Sequence, residues 1–152
     1  MDITSAAIAT IISSAVATIV AMCLNKRNHE KSLYSQLDGI LNIAIQYPYL
    51  ENRTFTENWT SKYNPDDEKA LRYEIYATRV FNYLSHFANF HGYKTEKIEK
   101  ALAMRDWVRI HKKYWYDPSK PNENIDTYDK PFVDLVNNCL RGGSAKSIGL
   151  LY

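Results

Sequence analysis

The stretch ITSAAIATIISSAVATIVAMCL, Ile3 to Leu24, decides how the rest of the chain is read. It holds no charged residue and neither Pro nor Gly. At ~1.5 Å per residue, a helix of this length matches a hydrocarbon core of about 30 Å. Charges begin just after it, at Lys26 and Arg27. The expectation is a single transmembrane helix with a basic stop over residues 1–27. A helical domain would then follow over 28–143 and a flexible tail over 144–152. A cleaved signal peptide opens on basic residues, whereas this chain opens Met1-Asp2. Lys26, Arg27 and Lys31 against Asp2 place the N-terminus outside and the domain in the cytoplasm by the positive-inside rule.

Within the stretch, Ser5, Ala9, Ser13, Ala17 and Ala21 recur every four residues. Small residues let helix backbones approach closely, so this row is the expected face of self-association and the chain is expected to be a homo-oligomer. The segment holds no ionisable side chain that could serve an ion or proton path.

The 152 residues suffice for one domain with a real core beyond that stretch. Five Gly, five Pro and regular apolar spacing point to an all-α fold. A net charge of +2 gives no global field for nucleic acid, and no nucleic-acid partner is expected. Cys23 and Cys139 lie far apart in the chain and do not suggest a disulfide framework.

Taken in order, residues Asn28 to Tyr47 carry Leu33, Leu37, Ile40, Leu41, Ala44 and Ile45 on one helical face, and Pro48 ends the run. The segment Pro48 to Tyr63 is aromatic for a loop. Tyr49, Phe55 and Trp59 in it are the candidate surface for a protein partner. Asn64 as cap and Pro65 at the first position predict a helix to about His91. Its stripe Tyr73, Tyr76, Val80, Tyr83, Phe87 and Phe90 makes it the central core helix. Thr95 then opens a basic helix to about Tyr116, and a shorter one covers Asp129 to Leu140 and stops at Gly142-Gly143. The four helices are expected to form an antiparallel bundle. Lys26, Arg27, Lys97, Arg105, Arg109, Lys112 and Lys113 are the candidate contacts to anionic lipid headgroups.

No motif for metal binding, phosphate binding or nucleophilic catalysis is present, and no catalytic, cofactor or metal residue is assigned. The nearest thing to a constellation is His111 with Asp106, facing Glu74 or His86. Burial of Cys139 on an apolar face would make its thiol inert.

The basic stop, the helix ending in Tyr47-Pro48-Tyr49-Leu50, the long Arg72-Tyr73-Glu74 helix and the Trp-bearing basic helix resemble bacterial or phage membrane-anchored helical proteins of unknown function. The resemblance implies an all-helical domain and transfers no activity to any residue. The expectation is thus a membrane-anchored, self-associating interaction module. Its alternatives are a membrane-acting defence or toxin-like effector, or an enzyme centred on His111.

Overall fold

A computed structural model of the chain describes residues 3–116 and 127–142, with side chains from Ser14 onward. Every regular element among them is helical. Helix α1 is Ile3–Gln46 and is followed by a 3-10 turn at Pro48–Glu51. Then come α2 (Arg53–Asn58), α3 (Glu68–Phe90), α4 (Thr95–Ala101), α5 (Met104–Ile110), α6 (Lys112–Tyr116) and α7 (Lys130–Arg141). The all-α expectation therefore holds for the described residues. The tail expected over 144–152 lies outside them.

The transmembrane expectation does not hold. Among the described residues, no helix is long and apolar enough to cross a membrane. Helix α1 does not end with the apolar run of Ile3 to Leu24 but continues through Lys26, Arg27, Glu30 and Lys31 to Gln46, so a charged second half belongs to the same helix. The N-outside orientation and cytoplasmic placement rested on that span and fall with it, as do the membrane-anchored module and the bilayer-perturbing effector. Ala17 and Ala21 are exposed. Ser5, Ala9 and Ser13 lie outside the residues whose side chains are described.

The chain divides into two compact units, Met1–Leu37 and Asp38–Tyr152. In the first, Val16, Ile19, Val20, Met22 and Leu24 are all more than half exposed. The second holds most of the core. Its centre is α3, where Tyr73, Tyr76, Val80, Tyr83 and Phe87 are buried at the expected 3-4-3-4 spacing, joined by Ala77, Phe81, Leu84 and Ala88. Helix α3 starts three residues later than its sequence suggests. Asn64 instead caps the preceding turn, accepting from the Asp66 N–H at 3.1 Å. The helix cap is Asp67, whose carboxylate accepts from Lys69 N at 3.0 Å and Ala70 N at 3.1 Å. Gly39 lies where an added Cβ would come within 3.1 Å of the Arg79 guanidinium, so its missing side chain admits that approach.

The basic stretch is not one helix but three. Leu102 adopts φ −149°, ψ 137°, and His111 φ −99°, ψ 19°, so the chain bends twice between Thr95 and Tyr116. A straight helix has one inward stripe. The bends allow Ile98, Met104, Val108, His111, Tyr114 and Trp115 all to be buried. Helix α5 packs on α7, which also touches α3. In α7, Asp129 caps the first turn, accepting from Phe132 N at 3.1 Å. Phe132, Leu135, Val136 and Cys139 face inward.

Gly142 ends α7 in the left-handed region, at φ 77°. A Cβ there would meet only the Arg109 guanidinium, at 4.0 Å, so space is not the constraint. The conformation is, because an L side chain at this φ crowds its own carbonyl. Gly142→Ala is therefore expected to cost about 1 kcal/mol in urea unfolding. A change of only a few tenths would show that the cap contributes nothing.

Candidate functional site

Two features of the second unit bring polar side chains together. The first is built around Glu51, the last residue of the 3-10 turn. Its Oε1 accepts from the Tyr76 hydroxyl and from Trp107 Nε1 at 3.0 Å, and it faces His111 Nε2 at 3.4 Å. On the other side of the imidazole, His111 Nδ1 lies 3.0 Å from the Tyr73 hydroxyl. An ionised carboxylate only accepts, so Nε2 carries a proton and donates to Glu51, while Nδ1 and the Tyr73 hydroxyl share the second bond.

Burial by itself pushes the Glu51 carboxyl up. The hydrogen bond and charge of His111, followed by the bonds from Tyr76 and Trp107, outweigh it and hold the group below its ordinary value. Burial, assisted by the Glu51 charge, raises the Tyr73 and Tyr76 hydroxyls, so both stay protonated and Tyr76 donates to Glu51.

The imidazole end of this network is enclosed: His111 and Tyr73 are fully buried and Tyr76 nearly so, while Glu51 and Trp107 are half-buried. A general base must reach the proton it removes, and here the imidazole is enclosed by protein donors and acceptors. The expected partners of His111 are elsewhere. Asp106 and His86 are exposed, and Glu74 accepts from the Tyr63 hydroxyl. Glu51 lies sixty residues from His111 and carries no local signal of the pairing.

The second feature is an open cleft of about 590 Å³ between α2 and the start of α3. Phe55, Trp59, Tyr63 and Ala70 supply its apolar lining, and Asn52, Thr54, Asn58, Thr60, Asn64 and Asp67 its polar lining. Trp59 forms the floor. It is 4% exposed, packs against Tyr73 and Tyr114 at centroid distances of 5.4 and 5.6 Å, and donates its Nε1–H to Ala70 O at 3.3 Å. Phe55 and Tyr63 are half-buried walls. The Tyr63 hydroxyl donates to the Glu74 carboxylate. That bond, with burial and the Glu74 charge, pushes it up to about 12.

The polar lining is already oriented by local backbone bonds. Asn52 Oδ1 accepts from Phe55 N at 3.2 Å, Asn58 Nδ2 donates to Thr54 O at 2.8 Å, and Asn64 Oδ1 accepts from Asp66 N. Thr60 Oγ1 accepts from Lys62 N at 3.3 Å. The sequence points to Phe55 and Trp59 as a partner surface, whereas it marks Asn64 only as a helix cap and Asn52 and Asn58 only as glycosylation sequons. The signal was present in Asn52, Asn58 and Asn64, spaced six apart among the rings.

Of the other expected residues, Tyr49 is half-buried near the cleft and stacks edge-on with Phe55 at 5.0 Å. Lys26, Arg27, Lys97 and Lys113 are exposed. Arg105 pairs with Glu99, and Lys112 with Glu57 at 3.3 Å. Arg109 is half-buried beside Gly142. Burial is the main cause that raises the Cys139 thiol, which keeps it protonated and unreactive. Among the described residues, no group of three His, Cys, Asp or Glu side chains is placed to hold a metal ion. No family model, curated protein or solved structure matches the chain.

Proposed function

We propose that the second unit is a binding module rather than an enzyme, and that the cleft between α2 and α3 is where it takes a ligand. One observation carries this reading. The cleft and the titratable network are adjacent but separated. The lining contains no His, Cys, Lys or Arg, while the imidazole of the Glu51–His111 network is buried in the core. A concave, partly aromatic site with a few pre-oriented polar groups supports recognition, and nothing in its lining is poised to move a proton. The test is a thermal-shift screen of small uncharged and charged compounds on the intact chain and on Asn58→Trp, which places a large ring at the cleft from an exposed position. The reading requires compounds that raise Tm in the wild type and lose that effect in the variant. Equal shifts in both proteins, or conversion of a compound to product, would overturn it.

A second reading concerns the first unit. Five large apolar side chains between residues 16 and 24 are exposed and spread over more than half the circumference of α1, which favours association with a second copy of the chain. Light scattering in aqueous buffer should then give a dimer or larger for the intact chain. An Ile19→Glu/Met22→Lys variant should be monomeric. A monomeric wild type would overturn this reading.

A further inference from the structure

We propose that the α2–α3 cleft binds a neutral, polyhydroxylated ring, that is, a sugar unit. The inference rests on the binding-module reading and adds the chemical class. Charge narrows the choice first. None of the ten lining residues is cationic, so the cleft offers no counter-charge to a phosphate or carboxylate. Its one anion, Asp67, is occupied by two backbone N–H groups at the head of α3 and is compensated there.

The hydrogen-bonding pattern narrows the choice further. Because the Asn52 and Asn64 oxygens accept backbone N–H groups, each leaves its amide N–H₂ as a donor. Asn58 is reversed: its N–H₂ donates to Thr54 O, and its oxygen is left as an acceptor. The second Asp67 oxygen accepts, and the Thr60 hydroxyl, already accepting from Lys62 N, is left to donate. The rim thus presents both donors and acceptors whose polarity is set before any ligand arrives, so little ordering is needed on binding. Ring hydroxyls, each both donor and acceptor, can use both kinds. A flat heterocycle with one or two polar edges would leave most of them unused.

The walls fit the rest of a sugar. Its C–H faces carry slight positive charge and lie against the negative faces of aromatic rings, which the half-buried Phe55 and Tyr63 supply.

The test is ¹⁵N NMR of the intact chain titrated with D-glucose, D-galactose, D-mannose, N-acetyl-D-glucosamine and cellobiose, with glucose 6-phosphate and adenosine as comparators. At least one neutral sugar should shift the side-chain amide signals of Asn52, Asn58 and Asn64 saturably. Glucose 6-phosphate should bind no more tightly than glucose. Asn58→Ala and Asn64→Ala should each weaken that sugar about tenfold, the equivalent of one hydrogen bond. Lys113→Ala, on α6, should bind as wild type. If adenosine saturates the cleft and no sugar does, the sugar assignment falls while the binding-module reading stands. If no probe shifts these signals, both fall. Unchanged sugar binding in both Asn variants would place the sugar elsewhere and overturn the proposal.

Discussion

Replacing Glu51 with leucine is expected to destabilise the second unit by about 3–5 kcal/mol, read from urea unfolding followed by circular dichroism. The figure follows from what the substitution strands. The Tyr76 hydroxyl, Trp107 Nε1–H and His111 Nε2–H all converge on one carboxylate oxygen. Removing the acceptor leaves three donors, one of them on a fully buried imidazole, with no partner that leucine can replace. The Glu51 side chain is 25% exposed, so water can reach part of the site, which draws the effect toward the lower end. Glu51→Gln keeps a carbonyl oxygen in place and loses only the charge, so its cost is expected to be about 1–2 kcal/mol. A loss below about 1 kcal/mol for the leucine variant would show that the network does not hold the 3-10 turn to α3 and α5.

The same residue sets an acid limb of stability. The folded protein holds the Glu51 carboxyl below its ordinary value of 4.5, chiefly because His111 overcomes the effect of burial. A group whose folded pKa is depressed contributes stability fully above its unfolded pKa and loses it as pH falls through the folded one. The stability gap between wild type and Glu51→Gln should therefore be constant near neutrality and shrink on acidification below about pH 4.5. A gap that stayed constant to pH 3 would separate Glu51 from the acid limb.

How much of this was legible in sequence depends on the range of the signal. The α3 stripe from Tyr73 to Phe87 was readable because a 3.6-residue period is repeated over several turns, and all five of those positions are buried. The stop at Gly142 was readable because one residue type suits a left-handed cap. The break at Leu102 was not, since neither Gly nor Pro marks it and only the demand to bury Ile98 and Met104 together requires the bend. The Glu51–His111 contact was invisible for a related reason. Helical spacing suggests near neighbours such as Asp106, whereas the partner arrives through folding from a turn sixty residues away. The apolar run at the N-terminus misled in another way: its length matches a hydrocarbon core, but the helix that carries it continues through charged residues to Gln46, and no helix of the described residues is long and apolar enough to cross a membrane. In the cleft, the rings and the six-residue spacing of the amides are visible in sequence but the role of each amide is not, because an Asn is ambiguous until its backbone partner fixes which end remains.

Trp115→Ala is expected to cost about 3–5 kcal/mol, comparable to the loss at Glu51 but by a different cause. Trp115 is fully buried and stands where three parts of the unit meet. It packs on Phe81 of α3 at a centroid distance of 4.9 Å, on Tyr128 at 5.8 Å, and edge-on against Phe132 of α7 at 6.1 Å. Its indole N–H donates to Asn137 Oδ1 at 3.3 Å, a second tie to α7. Truncation leaves a cavity that these rings cannot all close, because each is held by other neighbours: Phe81 also stacks on Tyr114 at 5.9 Å, and the Tyr128 hydroxyl donates to Asn82 Oδ1 at 2.7 Å. Trp115→Phe refills most of that volume and sacrifices the Asn137 bond, so about 1–3 kcal/mol is expected. The two variants also separate packing from the bond. If α7 depends on the ring, amide hydrogen exchange over Lys130–Arg141 should quicken strongly in the alanine variant and modestly in the phenylalanine one. If it depends on the Asn137 bond, the two should quicken alike, and Asn137→Ala should reproduce them. A set of domains this size is typically stable by about 5–15 kcal/mol, so losing the ring removes a large share of what keeps α7 on α3.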